Sequence, residues 1–164
     1  MPHDYTPHES GEPRQIDATG DQDVFETLTR AAFQSGLSWQ VVGRKWAGIA
    51  DAFANFDVAT VAAWDAEQIG AVLERDDVIR SKQKVAGTVK NAATLLAIAE
   101  EHGDFFTWVR GLEDYWAREK AITKRFKWVG EFGAYWVLYT LKEPVPHYAE
   151  WCRAKGRPVP AGLA

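Results

Sequence analysis

Six consecutive residues, from Gln34 to Trp39, combine an amide, a glycine, a short apolar side chain and an indole between two stretches of helical periodicity. Gly36 supplies a bend, where a positive φ disfavours residues with a Cβ. Leu37 then lies at the apex of the turn, where polar side chains are usual. Two interpretations stay open: Leu37 folds back as a hydrophobic staple, or it projects as a wedge that enters another molecule.

The wedge interpretation suits an enzyme that works on a nucleobase. Such an enzyme extrudes the base from the stack and must fill the gap that it leaves. Leu37 has the shape of a short apolar plug, and Gln34 can hydrogen-bond to the orphaned base. Under this interpretation the two side chains form a DNA wedge.

Aromatic side chains are numerous enough to build a base pocket as well as a core. The chain has eight Trp residues, and the candidates for the pocket are Trp39, Trp46, Tyr135 and Trp136. Their faces can stack on an extruded base, and the ring quadrupole attracts a cationic one. Most Trp side chains of a helical domain belong to its core, so core packing is the competing interpretation.

A junction between two predicted helices, residues 76–80, carries the candidate phosphate contacts. A tight junction can point backbone N–H groups outwards, and the next helix begins with the positive end of its dipole. Arg80, Lys82 and Lys84 follow and can neutralise neighbouring phosphates of a DNA backbone. An ordinary αα-corner with exposed cations explains the spacing equally well.

The pattern that positions these groups is helical almost throughout. Asp57 and Asp65 are predicted N-caps, and Asp65 with Gln68 forms a capping box. No strand-like alternation persists, so the predicted fold class is all-α. Apolar periodicity predicts about eight helices, at residues 21–33, 38–55, 57–63, 66–75, 82–101, 105–112, 114–126 and 129–141.

Length and composition indicate one folded domain. The 164 residues divide into an extended acidic arm (1–20), a helical domain (21–148) and a C-terminal tail (149–164). The single Cys152 excludes an intramolecular disulfide and fits a reducing compartment. Neither a signal peptide nor an apolar run near the ~20 residues of a membrane helix is present, so a cytoplasmic location is expected.

The net charge of −4 does not exclude a nucleic-acid partner, because the charge is unevenly distributed. Residues 1–26 hold seven acids against Arg14, so the remaining residues are net positive. Basic residues concentrate in the segments 75–90 and 118–127. Phosphate binding depends on such local patches, although many charge runs are simply solvated helix faces.

Taken in order, these segments resemble the DNA-3-methyladenine glycosylase I family, which belongs to the helix-hairpin-helix glycosylases of base-excision repair. The resemblance covers roughly residues 21–148. The matching pieces are Phe25–Leu28, Gln34–Trp39, Phe53–Asp57, Val61–Ala62, Val78–Val85, Asn91–Ala92, Lys124–Gly130 and Ala134–Tyr135. The resemblance implies a helix-hairpin-helix fold and monofunctional hydrolysis of the N-glycosidic bond of alkylated purines. It implies double-stranded DNA as the partner, and neither a cofactor nor an obligatory protein partner.

The sequence departs from the family at three places. Ala31 stands where the family has a Glu, three residues before the Gln of the wedge motif. The Tyr-His-Asp and Glu-Trp-Gly pieces that help to build the family's base pocket are missing. The usual structural zinc, held by two Cys and two His, cannot form from Cys152 and His147 alone, so no metal site is expected.

Glu131 is the one acid within the aromatic C-terminal segment and is the candidate replacement for the missing catalytic Glu. A first-turn Glu favoured by the helix dipole is the competing interpretation. Loss of one carboxylate need not abolish turnover, because a cationic alkylated base is already a good leaving group. Two alternative functions stay open: a non-catalytic sensor of DNA damage or DNA structure, and, with less support, a hydrolase of small nucleosides.

Overall fold

The computed structural model describes residues 15–163, and within them every regular element is helical. The helices are α1 (Asp21–Gln34), α2 (Trp39–Arg44), α3 (Trp46–Ala52), α4 (Val58–Ala62), α5 (Ala66–Leu73), α6 (Lys82–His102), α7 (Phe105–Arg110), α8 (Tyr115–Arg125), α9 (Glu131–Thr140) and α10 (Tyr148–Ala154), with a 3-10 turn at Ala54–Phe56. The predicted all-α class is confirmed. Most of the predicted acidic arm, residues 1–14, lies outside the described residues.

Helix starts follow the capping residues that the sequence supplies. The Asp65 side chain accepts from the backbone N–H groups of Glu67 and Gln68, and the Gln68 side chain accepts from the Asp65 N–H, which completes the predicted capping box. Asp57 caps α4 by accepting from the Thr60 N–H. These caps satisfy N–H groups that have no partner inside their own helix.

The helix predicted at residues 38–55 is wrong as a single element, because tertiary contacts break it. The chain bends at Lys45, and the Lys45 ammonium donates to the carbonyl oxygen of Asp76. Gly48 packs so closely on the 76–80 junction that a Cβ there would lie 2.2 Å from the Asp77 carbonyl oxygen. Residues 54–56 then take left-handed backbone angles. The helices therefore number ten within residues 15–163, where about eight were predicted.

The long helix α6 lies at the centre of the packing. It contacts α1, α4, α5 and α7, and its Val85, Ala92, Leu95 and Ile98 are buried in the main core. Helix α9 packs between α1 and α8. These contacts bring the C-terminal end of α1 beside the N-terminal end of α9, where the candidate site lies.

The described parts of both predicted flanking segments contact α9. Ile16 donates its backbone N–H to the Thr140 carbonyl oxygen at 2.8 Å, and its side chain packs against the core. Residues of the predicted C-terminal tail form α10, which buries Trp151 and Cys152 against Tyr135 of α9. No helix within residues 15–163 has the length and apolarity needed to cross a membrane.

Candidate functional site

A cleft of about 450 Å³ opens between the end of α1, the turn that follows it, and the start of α9. Its volume falls within the range of ~300–1,000 Å³ that is usual for small-ligand pockets. The residues lining it are Ala31, Gln34, Ser35, Gly36, Leu37, Trp39, Trp128, Gly130, Glu131, Phe132, Gly133, Trp136 and Arg157. Five predicted site residues, Gln34, Leu37, Trp39, Glu131 and Trp136, are thus brought together.

Three aromatic rings form one wall of the cleft. The Trp39 ring centroid lies 5.9 Å from that of Phe132 and 6.0 Å from that of Trp136. Trp39 and Phe132 are half-buried, whereas Trp136 is buried and its indole N–H has no hydrogen-bond partner within residues 15–163. Such a wall can stack on a flat, electron-poor ring.

Two predicted pocket residues lie elsewhere. Trp46 stacks on Phe56 with ring centroids 5.5 Å apart, and its indole N–H donates to the Glu26 carboxylate at 2.8 Å. Tyr135 is fully buried in the cluster with Trp151, and its hydroxyl donates to the Pro146 carbonyl oxygen. Neither side chain lines the cleft, so both predicted pocket positions are corrected to core positions.

The segment Ser35–Leu37, here called the wedge turn, forms one rim of the cleft. Gly36 has the predicted positive φ of 77°, and Ser38 caps α2. Leu37 is 40% exposed, which favours the wedge interpretation over the staple interpretation. Gln34 is buried at 5% exposure, one turn of chain below Leu37, and lines the same cleft.

Lys84 was predicted to contact phosphate, and the structure places it inside the protein. It is 8% exposed, and its ammonium donates to the carbonyl oxygens of Phe33 and Ser35 at the C-terminal end of α1. These carbonyls lack donors within their own helix, and the negative end of the helix dipole favours a cation there. Burial lowers the pKa of Lys84 below its ordinary value. Lys84 therefore supports the wedge turn from beneath.

Arg80 and Lys82 are exposed beside the 76–80 junction, as a phosphate contact requires. The Arg80 Nε donates to the Arg75 carbonyl oxygen at 2.7 Å, which fixes the stem of the side chain. The guanidinium of Arg75 pairs with Asp51 at 2.9 Å and with Asp77 at 2.8 Å, so its charge is already balanced within the protein. The DNA-contact role of Arg80 and Lys82 stays a prediction.

The acid-base groups of the cleft differ from those that the family resemblance implies. Ala31 lines the cleft at 5% exposure, on the last turn of α1. Glu131 lines it from the first turn of α9, but its side chain is 54% exposed, so it is not buried among aromatic rings. Its carboxylate accepts from the Lys155 ammonium at 2.7 Å. Lys155 also pairs with the buried Glu119 of α8.

Three large side chains that line the cleft were not among the sequence candidates. Phe132 lies one helical turn before Trp136, so the i, i+4 spacing is the signal that places both rings on one face. Trp128 and Arg157 come from loops, where periodicity gives no signal. Arg157 is exposed and lies over the Trp151 ring, 4.9 Å from its centroid.

No cluster of three or more His, Cys, Asp or Glu side chains within residues 15–163 is arranged to hold a metal ion. Cys152 is buried, and His147 caps α10 by accepting from the Ala149 N–H. Cys152 therefore belongs to the core, and His147 serves as a helix cap.

Comparison with known protein sequences gives the same family as the resemblance described above. Residues 3–134 match the sequence model of the family described as methyladenine glycosylase. The DNA-3-methyladenine glycosylase of Haemophilus influenzae is 35% identical over 104 residues, which cover 63% of this chain and 54% of that protein. DNA-3-methyladenine glycosylase 1 of Escherichia coli is 29% identical over 91 residues, covering 56% and 48% respectively. The chain thus spans about half the length of these curated relatives.

A crystal structure of 3-methyladenine DNA glycosylase I has the same fold. It is 26% identical to this chain with a TM-score of 0.65, and the match covers 77% of this chain and 81% of the other. The family match ends at residue 134, so Trp136 and Arg157 of the cleft come from beyond it.

Proposed function

Since the chain belongs to the methyladenine glycosylase family, we propose that it hydrolyses the bond between an alkylated purine and its deoxyribose in double-stranded DNA. Water adds its oxygen to C1′ of the sugar and loses one proton to the solvent, and the base leaves with the electron pair of the broken C1′–N bond. A base such as 3-methyladenine, which is cationic in DNA, leaves as a neutral molecule and needs no prior protonation. The reaction uses no cofactor, and a cytoplasmic setting fits the single cysteine.

The observation that carries this proposal is the position of an exposed Leu37 on the rim of a cleft walled by Trp39, Phe132 and Trp136. An extruded base needs both a plug for the gap in the duplex and a stacking surface to receive it. The ring quadrupole of this wall favours an electron-poor purine over an ordinary one. Gln34 lines the same cleft but is only 5% exposed, so a hydrogen bond to the base left unpaired requires its side chain to turn outwards.

Within residues 15–163, Glu131 is the one acid that lines the cleft, and it is our candidate for stabilising the oxocarbenium-like transition state. A carboxylate opposes the positive charge that develops on the sugar as the base departs. Lys155 neutralises part of the Glu131 charge, which weakens this effect. The site should therefore act best on labile lesions, whose bases are good leaving groups.

Release of free base from methylated duplex DNA tests the proposal directly. Leu37→Ala should slow release from duplex more than from single strands, where no stack must be held open, and should leave thermal stability nearly unchanged. Leu96→Ala is the matched control, because Leu96 is 41% exposed but lies outside the cleft. A large fall in the melting temperature of Leu37→Ala would show that the side chain serves the core instead.

A non-catalytic binding protein is the second candidate. It is favoured by Ala31 at the position of the family Glu and by the pairing of Glu131 with Lys155. This candidate predicts salt-dependent binding to damaged duplex without any release of base. Parallel incubation with alkylated free nucleosides separates both candidates from a small-nucleoside hydrolase.

A further inference from the structure

Trp128 is a second exposed apolar side chain on the rim of the cleft. Within residues 15–163 the large apolar side chains that are exposed are Leu37, Leu96, Trp116 and Trp128. Of these, Leu37 and Trp128 line the cleft. Trp128 is 41% exposed, and leaving this much apolar ring surface in water is unfavourable.

The backbone holds Trp128 in an uncommon conformation. Its φ is +65°, in the left-handed region that residues with a Cβ seldom adopt. Asn91 of α6 fixes the preceding residue from both sides, because it accepts from the Lys127 N–H at 2.7 Å and donates to the Lys127 carbonyl oxygen at 3.1 Å. Strained backbone that is held by its surroundings concentrates at functional sites.

The indole itself is also oriented. Its N–H donates to the Gln83 carbonyl oxygen at 3.2 Å. Its edge lies against Gly87, where an added Cβ would come within 2.7 Å of the ring carbon Cδ1. The Lys84 ammonium lies 5.7 Å from the ring centroid and donates to the Ser35 carbonyl oxygen of the wedge turn. One buried lysine thus joins the wedge turn and the Trp128 ring into a single rim.

The surface around Trp128 is positively charged. Residues 82–99 contain three lysines and no acid, and residues 120–130 contain three lysines, an arginine and no acid. Lys82, Lys90 and Lys127 are exposed. An exposed indole among cations matches the combination of aromatic surface and positive charge that binds the bases and backbone of nucleic acids.

We propose that Trp128 stacks on the base next to the extruded nucleotide in the same DNA strand. Extrusion removes one stacking neighbour from that base, and an indole on the rim can replace it. Trp39, Phe132 and Trp136 contact one another and form the wall that we assign to the extruded base. The Trp128 ring packs instead beside Gly87 and Lys84, so we assign it to a different base. The inference rests on the proposed function, because it requires DNA in the cleft with a nucleotide extruded.

Binding to a duplex with one stable abasic site tests the stacking without any excision. Trp128→Gly removes the ring and suits the left-handed backbone, so the variant should fold. We expect it to weaken binding by about fivefold to a hundredfold, the range for loss of one base–aromatic stack. The salt dependence of binding should not change, because no phosphate contact is lost. Trp128→Phe should keep most of the affinity, and Trp116→Ala, which removes a 37% exposed indole outside the cleft, should keep all of it.

A second duplex identifies the base. Where the abasic site is flanked by further abasic residues on both sides, the stacking partner is missing, and the parent and Trp128→Gly should bind alike. A penalty that persists on this duplex, or an equal loss in Trp128→Phe, would overturn the inference. A parent protein that binds the single abasic site but releases no base would overturn the proposed function alone.

Discussion

Ala31→Glu should enable the protein to hydrolyse the N-glycosidic bonds of less labile bases as well. The residue lies on the last turn of α1, three residues before Gln34, and lines the cleft. The facing residue on α9 is Gly133, where an added Cβ would still be 3.9 Å from the Ala31 Cβ. A longer side chain at position 31 therefore meets no opposing side chain at this point and can extend into the open volume of about 450 Å³.

The expected cost to stability follows from the burial of Ala31, which is 5% exposed. Placing a carboxyl group in a partly apolar cleft should cost about 1–3 kcal/mol and raise the pKa of the new side chain. For a domain of this size, the melting temperature should fall by about 3–10 °C. A carboxylate that faces the sugar of the extruded nucleotide should increase the rate about 10²- to 10³-fold, because it opposes the positive charge of the oxocarbenium-like transition state.

Single-turnover release of free base measures this gain. The substrates are duplexes with 3-methyladenine and with the neutral lesion hypoxanthine, whose base is the poorer leaving group. Ala31→Gln is the matched control, since it has the size of Glu without the charge. We expect the gain with Ala31→Glu to be larger on hypoxanthine. An equal gain with Gln, or no gain from a folded Glu variant, would refute the electrostatic argument.

Three further predictions concern charged side chains around the cleft. Glu131→Gln should lower the rate of base release by about tenfold to a hundredfold with DNA binding kept, because it removes the charge and preserves the shape; release at the parent's rate would exclude the role. Arg80→Ala and Lys82→Ala should each weaken binding to damaged and undamaged duplex alike. Each should also reduce the slope of log binding constant against log salt concentration by up to about one, which titrations at two salt concentrations can check. Unchanged slopes would show that neither residue contacts the DNA backbone. Lys155→Met should lower the free energy of unfolding in urea by about 3 kcal/mol, because it leaves the 3% exposed Glu119 carboxylate without its cation; a loss below about 1 kcal/mol would show that solvent compensates.

The features predicted correctly from sequence are those that neighbouring residues determine. The positive φ of Gly36 and the capping box of Asp65 with Gln68 depend on contacts within a few residues. The break in the predicted helix 38–55 depends on Gly48 meeting the distant 76–80 junction. No signal within residues 38–55 reports that contact, so periodicity alone extends the helix too far.

The difference between local and distant contacts also explains which residues of the candidate site were predicted correctly. The wedge turn is local and was predicted, whereas α9 carries aromatic residues on two faces. Phe132 and Trp136 share the face on the cleft, while Tyr135 and Tyr139 share the face that packs with α10. Helical spacing groups these pairs but does not tell which face meets the ligand. Lys84 was misplaced for a related reason, because a lysine in the first turn of a helix usually faces solvent.

The cleft depends on two segments, one around Ile16 and one around Lys155, because both are attached to the helix that forms its aromatic wall. Ile16 donates to the Thr140 carbonyl oxygen near the C-terminal end of α9, and Lys155 holds Glu131 at its N-terminal end. The family resemblance implies a zinc ion that joins the termini. Within residues 15–163, hydrogen bonds and a partly buried ion pair attach the segments around Ile16 and Lys155 to α9. Lys155 forms ion pairs with the buried Glu119 and with Glu131 in the cleft. The residue that anchors α10 therefore also determines how much negative charge the cleft presents to its ligand.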